Sequence, residues 1–325
     1  MIKHKLKRKQ KRTYQDLKLL QSLSLETKVL YAQEKIKEWY EYWNGNVYVS
    51  FSGGKDSTVL LHLVRQIYPD VPAVFSDTGL EWPEIREFVK TFDNVMWVKP
   101  KKNFKQVIEE YGYPVISKEV SLRIRKIRHN PNSNISKYHL TGWNKGVYKQ
   151  RAKLSDKWHK LLIAPFKISE YCCDWIKKKP IYIYEKQTNR KPYIGTMTDD
   201  SGVRLGQWKE YGCNSFTLNK PQSKPLSIFT EKDIWKYIHT NNLPYADIYK
   251  KGIGRTGCMF CMFGIHMEKI NRFHIMRKIH PQLHKYCMEN LGIQKVLDYL
   301  EIPSTLPKRY KLKRTKPKRI SLRSK

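Results

Sequence analysis

Acidic side chains are scarce in this sequence. Its 325 residues carry 29 Asp and Glu against 63 Lys and Arg, a formal net charge of +34. A surface so short of carboxylates repels itself unless it meets a polyanion. That favours nucleic acid, tRNA or DNA, as a partner over a merely solvated face with disordered ends. Long apolar runs are also missing. No stretch approaches the roughly 20 residues of a membrane span, and no basic amphipathic helix with a bulky apolar face marks a membrane surface. No apolar run follows the basic residues 1–9, so no secretory signal is expected. The expected location is cytoplasmic. Cysteine is sparse, with six positions: Cys172, Cys173, Cys213, Cys258, Cys261 and Cys287. In a cytosolic chain of this size a disulfide framework is not expected, and metal binding or catalysis is the better use of them.

The basic charge is spread widely. Residues 1–13 hold seven Lys and Arg and residues 308–325 hold ten, with no acid in either stretch. The rest of the excess lies in the body. Residues 14–44 show helical apolar spacing (Leu17, Leu20, Leu23, Val29, Leu30, Ile36) and end at the turn Asn44-Gly45-Asn46. Val47 to Phe51 reads as a buried strand, Ser52 to Ser57 as a loop, and Thr58 onward as a helix ending near Tyr68. Ala73 to Ser76 and Val95 to Val98 read as further strands. Pro83 to Thr91 and Phe104 to Tyr111 read as helices, the first with Pro in its opening turn. Such alternation predicts an α/β fold: a Rossmann-like parallel sheet with flanking helices, binding its ligand at the carboxyl ends of the strands.

Beyond this, Tyr193 to Met197 reads as a strand. Thr230, with Asp233 three residues on, caps a helix whose Trp235 and Tyr237 fit a core stripe. Residues 282–300 form a last amphipathic helix. The organisation expected is a basic arm and helix over 1–44, a core domain over 45–265, a helical region over 266–306 and a basic disordered tail over 307–325. A basic insertion covers about 117–165. Its residues 117–160 hold twelve Lys and Arg against two acids. There Arg123, Arg125, Lys126 and Arg128 alternate with Tyr138, Trp143, Tyr148 and Trp158. That mixture suits single-stranded nucleic acid, by phosphate neutralisation and base stacking. It equally suits a solvated loop whose aromatics pack on the domain.

Ser52-Gly53-Gly54-Lys55-Asp56-Ser57 joins a strand to a helix. Its glycines let the backbone approach a ligand closely. Amides at the helix start can hold phosphate oxygens, with Lys55 as a point charge and Ser52 and Ser57 as hydroxyl donors. A Walker A loop would need four residues before its Gly-Lys, so this is a different loop. The cysteines fall into a tandem pair, Cys172-Cys173, and a CxxC, Cys258 to Cys261. Two such elements can hold a tetrahedral metal or an iron–sulfur cluster. Lys177, Lys178, Lys179 and Arg255 nearby would offset the thiolate charge. Cys213 and Cys287 read as core residues.

The loop resembles the SGGKDS signature of PP-loop ATP pyrophosphatases (the HUP-type fold). Phe75 to Pro83, Phe-Ser-Asp-Thr-Gly-Leu-Glu-Trp-Pro, is similar to the second signature of their phosphoadenosine-phosphosulfate (PAPS) reductase branch. The resemblance implies that Ser52, Gly53, Gly54, Lys55, Asp56 and Ser57 bind the phosphates of ATP or of a sulfonucleotide, with Mg2+. It also implies that Lys55 and Asp56 act in catalysis, and that Asp77 and Thr78 line the nucleotide pocket. Gly195 to Arg204 resembles the family's third block, Gly-x-Arg-x-x-Glu-Ser-x-x-Arg. Gly195, Ser201 and Arg204 keep their places, Asp200 replaces the glutamate, and Met197 replaces the first arginine. That loss puts the family's usual substrate in doubt. Arg204 is a candidate anion clamp, with a surface salt bridge as its competing use.

The pairing of CC with CxxC is similar to that of the cluster-bearing adenylylsulfate reductases and the DNA phosphorothioation enzyme. It implies a [4Fe–4S] cluster on Cys172, Cys173, Cys258 and Cys261, with zinc as the alternative. The function expected is ATP-dependent adenylation of a nucleic acid followed by sulfur transfer, with a sulfur-donor protein as a further partner. A sulfonucleotide reductase is the second reading. Reductases of this resemblance carry a further C-terminal cysteine, whereas residues 306–325 have none. A non-catalytic nucleotide-sensing, nucleic-acid-binding protein of a phage or defence system is the third.

Overall fold

The computed structural model describes residues 12–268 and 270–304. The basic arm before residue 12 and the tail expected to be disordered after Pro307 lie outside the described residues. The strands are β1 (Val47–Ser50), β2 (Ala73–Ser76), β3 (Val95–Val98), β4 (Val115–Ile116), β5 (Trp143–Asn144), β6 (Val147–Tyr148), β7 (Lys191–Ile194), β8 (Asn214–Ser215), β9 (Gln222–Ser223) and β10 (Met262–Phe263). The chain divides into two compact units. The first takes the described residues up to 76, with 84–98 and 181–247; the second takes 77–83, 99–180 and 248–304.

The first unit is built on a six-stranded sheet of order β3-β2-β1-β7-β9-β8, parallel throughout except for the β8–β9 pair. Val47, Tyr48 and Val49 are each fully buried. Successive strand residues point to opposite faces, so both faces are covered, as a parallel sheet requires. Tyr48 meets Tyr184 of the helix Lys179–Thr188 edge-on at 5.2 Å and donates its hydroxyl to Glu185 at 2.9 Å. Tyr193 of β7 donates to the carbonyl of Ile36 at 2.7 Å. Ile36 lies on the helix Leu25–Tyr42, which buries Ala32, Ile36 and Trp39 along one face. Full burial of a side chain such as Ile36 contributes about 1.5–3 kcal/mol.

The single helix expected over 14–44 is two helices, Tyr14–Ser22 and Leu25–Tyr42. Ser24 separates them, its hydroxyl accepting from the Thr27 amide at 3.2 Å. A serine that bonds its neighbouring backbone competes with helix continuation and starts a new helix instead. Further on, the chain lays β2 and β3 to one side of β1 and β7 to the other. The strand order therefore reverses between β1 and β7, the point beyond which such sheets bind ligands.

The second unit is mainly helical, and no described helix of the chain is long and apolar enough to cross a membrane. The basic stretch 117–160 folds as the helices Lys118–His129 and Asn134–Thr141, the hairpin β5–β6 and two short 3-10 turns. Several of its basic groups are held internally. The Arg128 guanidinium donates to the carbonyls of Leu161, Leu162, Ala164 and Phe166. Arg123 donates to Lys153 and Arg151 carbonyls and pairs with Glu119. Arg125 pairs with the buried Glu170 and lies over the Tyr171 ring at 4.4 Å. Trp158 is buried as well.

Elsewhere in this unit β4 pairs in parallel with β10, Val115 with Met262 and Ile116 with Phe263. Ile116 is buried and has φ +63°, a left-handed conformation uncommon for a β-branched residue. The helix expected over 282–300 is interrupted. It forms as Pro281–Glu289 and Ile293–Tyr299, with Gly292 at φ +62° between them. A glycine in that conformation ends a helix without steric cost.

Candidate functional site

In the first unit, Ser52 to Ser57 leaves the carboxyl end of β1 and enters the helix Lys55–Ile67. Gly53 has φ +67°, and a Cβ there would lie 2.7 Å from Val89 and 2.9 Å from Ile85 side-chain carbons. Both its conformation and its surroundings thus demand glycine. Ser52 and Ser57 hydroxyls sit 3.0 Å apart; Ser57 also accepts from the Ser52 amide at 3.2 Å and donates to the Gly54 carbonyl at 2.9 Å. The loop is therefore tied by its own hydroxyls. No side chain caps the helix that follows at Gly54. A helix start lined with backbone amides suits an anion.

Lys55 is only 4 % exposed. Its ammonium lies 3.1 Å from Asp56 and 3.5 Å from Glu231. Burial pushes the Asp56 carboxyl above its usual range, Lys55 pulls it the other way, and the charges of Asp200 and Glu231 push it up further. Ser50 of β1 pairs with Ile194 of β7, so Gly195 follows the strand beside the loop. A Cβ on Gly195 would come within 3.0 Å of the Asp56 carbonyl and the Ser57 Cα. Its lack of a side chain is what lets β7 end against the start of the loop helix. Ser201 caps the helix Gly202–Tyr211 by accepting from the Arg204 amide at 3.4 Å. The Arg204 guanidinium pairs with Asp200. Asp200 also accepts from the Met197 amide at 3.0 Å.

The second unit holds Asp77, Thr78 and the four paired cysteines. Asp77 and Thr78 are buried and begin a tight turn. The Thr78 amide and hydroxyl donate to Glu81 at 3.0 and 2.6 Å, and Gly79 has φ +73°. The Met259 amide donates to the Leu80 carbonyl at 2.8 Å, which fastens the CxxC to this turn. On its other side the CxxC runs into β10 and so into the β4 pairing. The Cys261 amide donates to the Cys258 carbonyl at 3.2 Å, and the Phe263 amide to the Cys261 sulfur at 3.4 Å. Cys172 and Cys173 sit at a helix start that passes into a π-helical turn, Asp174–Lys178. Such turns are rare and recur at functional sites.

These four thiols share one electrostatic environment. Burial pushes the Cys172 thiol up, and the charges of Cys258, Cys173 and Cys261 push it further. Burial likewise raises Cys261, to about 11, with Cys258 adding to it. The negative charge of Cys258 raises Lys177 above its usual range. That cation in turn opposes the burial that raises Cys258. Of the basic neighbours expected, Lys178 instead pairs with Asp174, and Lys179 lies over the Trp175 ring at 3.5 Å. Cys213 and Cys287 are buried, Cys213 against the Tyr31 hydroxyl at 3.9 Å. Among the described residues no group of three or more His, Cys, Asp or Glu is arranged to hold a single metal ion.

Three groups escaped the sequence reading. Glu231 faces Lys55 from a helix distant in sequence. Glu81 closes the Thr78 turn and acts on both Lys177 and Cys258. Arg272 donates to the Cys258 and Phe263 carbonyls, each at 3.4 Å, and lowers the Cys261 thiol against its burial. A lone acid or arginine has no local pattern to mark it.

The sequence profile described as the phosphoadenosine phosphosulfate reductase domain matches residues 46–263. An uncharacterized protein of Methanocaldococcus jannaschii is 25% identical over 256 residues, covering 76% of this chain and 49% of that protein. The chain thus spans about half the length of that relative. An adenosine 5'-phosphosulfate reductase of Staphylococcus epidermidis is 23% identical over 253 residues, covering 76% of this chain and 83% of the relative. Among solved structures, the phosphoadenylyl-sulfate reductase from Candida auris, a phosphate complex, aligns with a TM-score of 0.42 at 14% identity, over 76% of this chain and 96% of that one.

Proposed function

The chain belongs to the phosphoadenosine phosphosulfate reductase domain family, and from that premise we propose that it is an ATP-using enzyme that adenylates a nucleic acid and exchanges the activated oxygen for sulfur. The observation that carries this reading is the Ser52–Ser57 loop. It is a glycine-enforced turn with an uncapped helix start, at the carboxyl end of a strand where the sheet order reverses. That arrangement suits a polyphosphate.

In the reaction proposed, an acceptor oxygen attacks the α-phosphorus of ATP, and pyrophosphate leaves. The P–O bond formed makes AMP the leaving group at the acceptor carbon. A hydrosulfide-class nucleophile then forms the C–S bond as the C–O bond breaks, and AMP departs with the oxygen. The loop amides would hold the phosphates, and Lys55 would move from its carboxylate partners to the developing negative charge. Magnesium would enter with the triphosphate, as is usual for such substrates. Asp56 and Glu231 would keep Lys55 oriented between turnovers.

The cysteine group fits an iron–sulfur cluster by its chemistry. Four thiols lie in one electrostatic environment, with Lys177 and Arg272 to offset thiolate charge and the Phe263 amide donating to sulfur. When bound, such a cluster would supply a soft site at which sulfur can be held. Zinc, the alternative occupant, needs its ligands on one ion, an arrangement not found among the described residues. A second reading, reduction of a sulfonucleotide, is favoured by the relatives named adenosine 5'-phosphosulfate reductase.

Pyrophosphate release separates the readings. The protein is incubated with ATP, hydrosulfide and either tRNA or DNA, beside a parallel reaction with adenylylsulfate and a dithiol reductant. Pyrophosphate that depends on nucleic acid supports the proposal. Sulfite from adenylylsulfate, without pyrophosphate from ATP, replaces it with the reductase.

A further inference from the structure

Deepening the nucleic-acid reading, on which it rests, we propose that the hairpin β5–β6 is a stacking platform for unpaired nucleotides. The observations lie within the second unit. Trp143 and Tyr148 are directly paired across the hairpin, their ring centroids 5.3 Å apart and inclined by 47°. They are 57% and 45% exposed, and Val147 beside them is 54% exposed. Trp143 is the one exposed tryptophan among the described residues, and it is presented together with the exposed Tyr148 on one cross-strand pair of the hairpin.

The hairpin is held in shape by its own backbone. Lys145 and Gly146 both have positive φ, +46° and +75°. That is the tight two-residue turn whose twist matches the strands it joins. Gly142, at φ +83°, closes the base, its carbonyl accepting from the Lys149 amide at 2.8 Å. A Cβ on Gly142 would lie 2.7 Å from the Tyr148 ring. One edge of the ring therefore rests against the bare backbone of Gly142. Two presented rings on a rigid ribbon lose little entropy on binding a flat ligand.

Charge identifies the ligand. No acid occurs between Glu119 and Asp156, a stretch with nine Lys and Arg. Arg123, Arg125 and Arg128 are held internally. Lys137, Lys145, Lys149 and Arg151 are exposed, and none of them is ion-paired among the described residues. Rings for bases, flanked by cations for phosphates, suit a single strand, whose bases are free to stack. In a duplex the base faces are already occupied. The shared chemistry is an unpaired oligonucleotide; RNA and DNA are separated by the test.

The experiment is fluorescence anisotropy with labelled oligo-dT and oligo-U of about 15 nucleotides, within the range of single-strand site sizes, and with a duplex of equal length. The whole protein is titrated across a salt series. Trp143→Ala with Tyr148→Ala is expected to weaken single-strand binding about fivefold or more, with the salt slope unchanged and thermal stability retained. Trp143→Phe should recover part of the loss. Lys145→Gln with Lys149→Gln should reduce the slope of log K against log salt by about 1.4. The stronger of the two oligonucleotides identifies the sugar. If the wild-type protein binds but the aromatic double variant binds equally well, the hairpin assignment is overturned while the nucleic-acid acceptor stands. If the wild-type protein binds neither strand, both fall. If the duplex binds as tightly and loses as much affinity in the variant, stacking on unpaired bases is wrong.

Discussion

Lys177 and Cys258 face each other electrostatically: the thiolate charge raises the lysine, and the ammonium opposes the burial that raises the thiol. A cation placed on a cysteine of a four-thiol group favours the thiolate that metals require. Cys172→Ala or Cys258→Ala is expected to abolish the binding of iron and sulfide during anaerobic reconstitution. Lys177→Met should retain less iron than the wild-type protein while keeping its fold. Cys213→Ala and Cys287→Ala should leave metal content unchanged. Iron, sulfide and zinc assays on the five variants check this, and zinc without sulfide in the wild-type protein would remove the cluster.

Gly53→Ala should damage the fold as well as the phosphate loop. The new Cβ meets Val89 and Ile85 closer than 3.0 Å in a backbone conformation that disfavours side chains. The two penalties together amount to about 2–4 kcal/mol. Urea unfolding measures the loss, and equilibrium binding of ATP should fall with it. An unchanged urea midpoint would mean that the loop is not confined as described.

Asp56 carries a pH signature. Burial holds its carboxyl above the usual value of 3.8 in the folded chain. Between the unfolded and folded values the native state binds more protons, so stability falls as pH rises through that window and stays reduced above it. Asp56→Asn should therefore flatten the stability curve from about pH 4 upward and stabilise the protein at neutral pH, while impairing turnover. Urea midpoints at several pH values test the sign. Parallel curves for the two proteins would contradict it.

Arg128 offers a contrast with the hairpin lysines. Its guanidinium satisfies four backbone carbonyls. Arg128→Met leaves these short of donors and should cost about 2–4 kcal/mol. Its effect on oligonucleotide salt dependence should be nil. A changed salt slope with unchanged stability would reassign this arginine to the surface.

Local pattern carried much of the central fold. Val47 to Phe51, Ala73 to Ser76 and Val95 to Val98 are short β-rich runs between turn residues, and all three are strands. The capping box at Thr230 and Asp233 formed as expected. Of the expected core stripe, Tyr237 is buried but Trp235 only partly so. Residues without a pattern were lost. β8 and β9 are two polar residues each, defined by their partners rather than by composition. The helix Lys118–His129 was obscured by its basic residues, three of whose guanidiniums turn inward to carbonyls and carboxylates. In the candidate site, the loop, Gly195 and the cysteine pairs were legible because each has a motif. Glu231, Glu81 and Arg272 act through tertiary contacts that no neighbouring residue announces.

The two-residue ladder between β4 and β10 has a temporal consequence. It joins Ile116 to Phe263, and the CxxC sits just before its second strand. Loop closure over such a span adds only slowly to the entropy cost, yet non-local pairing is slow to form. At about 5–20 residues per second on the ribosome, Cys172 and Cys173 emerge about 4–18 seconds ahead of Cys261. During that interval the nascent chain presents two thiols with no partners. Any metal centre built from all four must therefore be loaded after synthesis has passed the CxxC, which makes its maturation a separate step from translation of the core sheet.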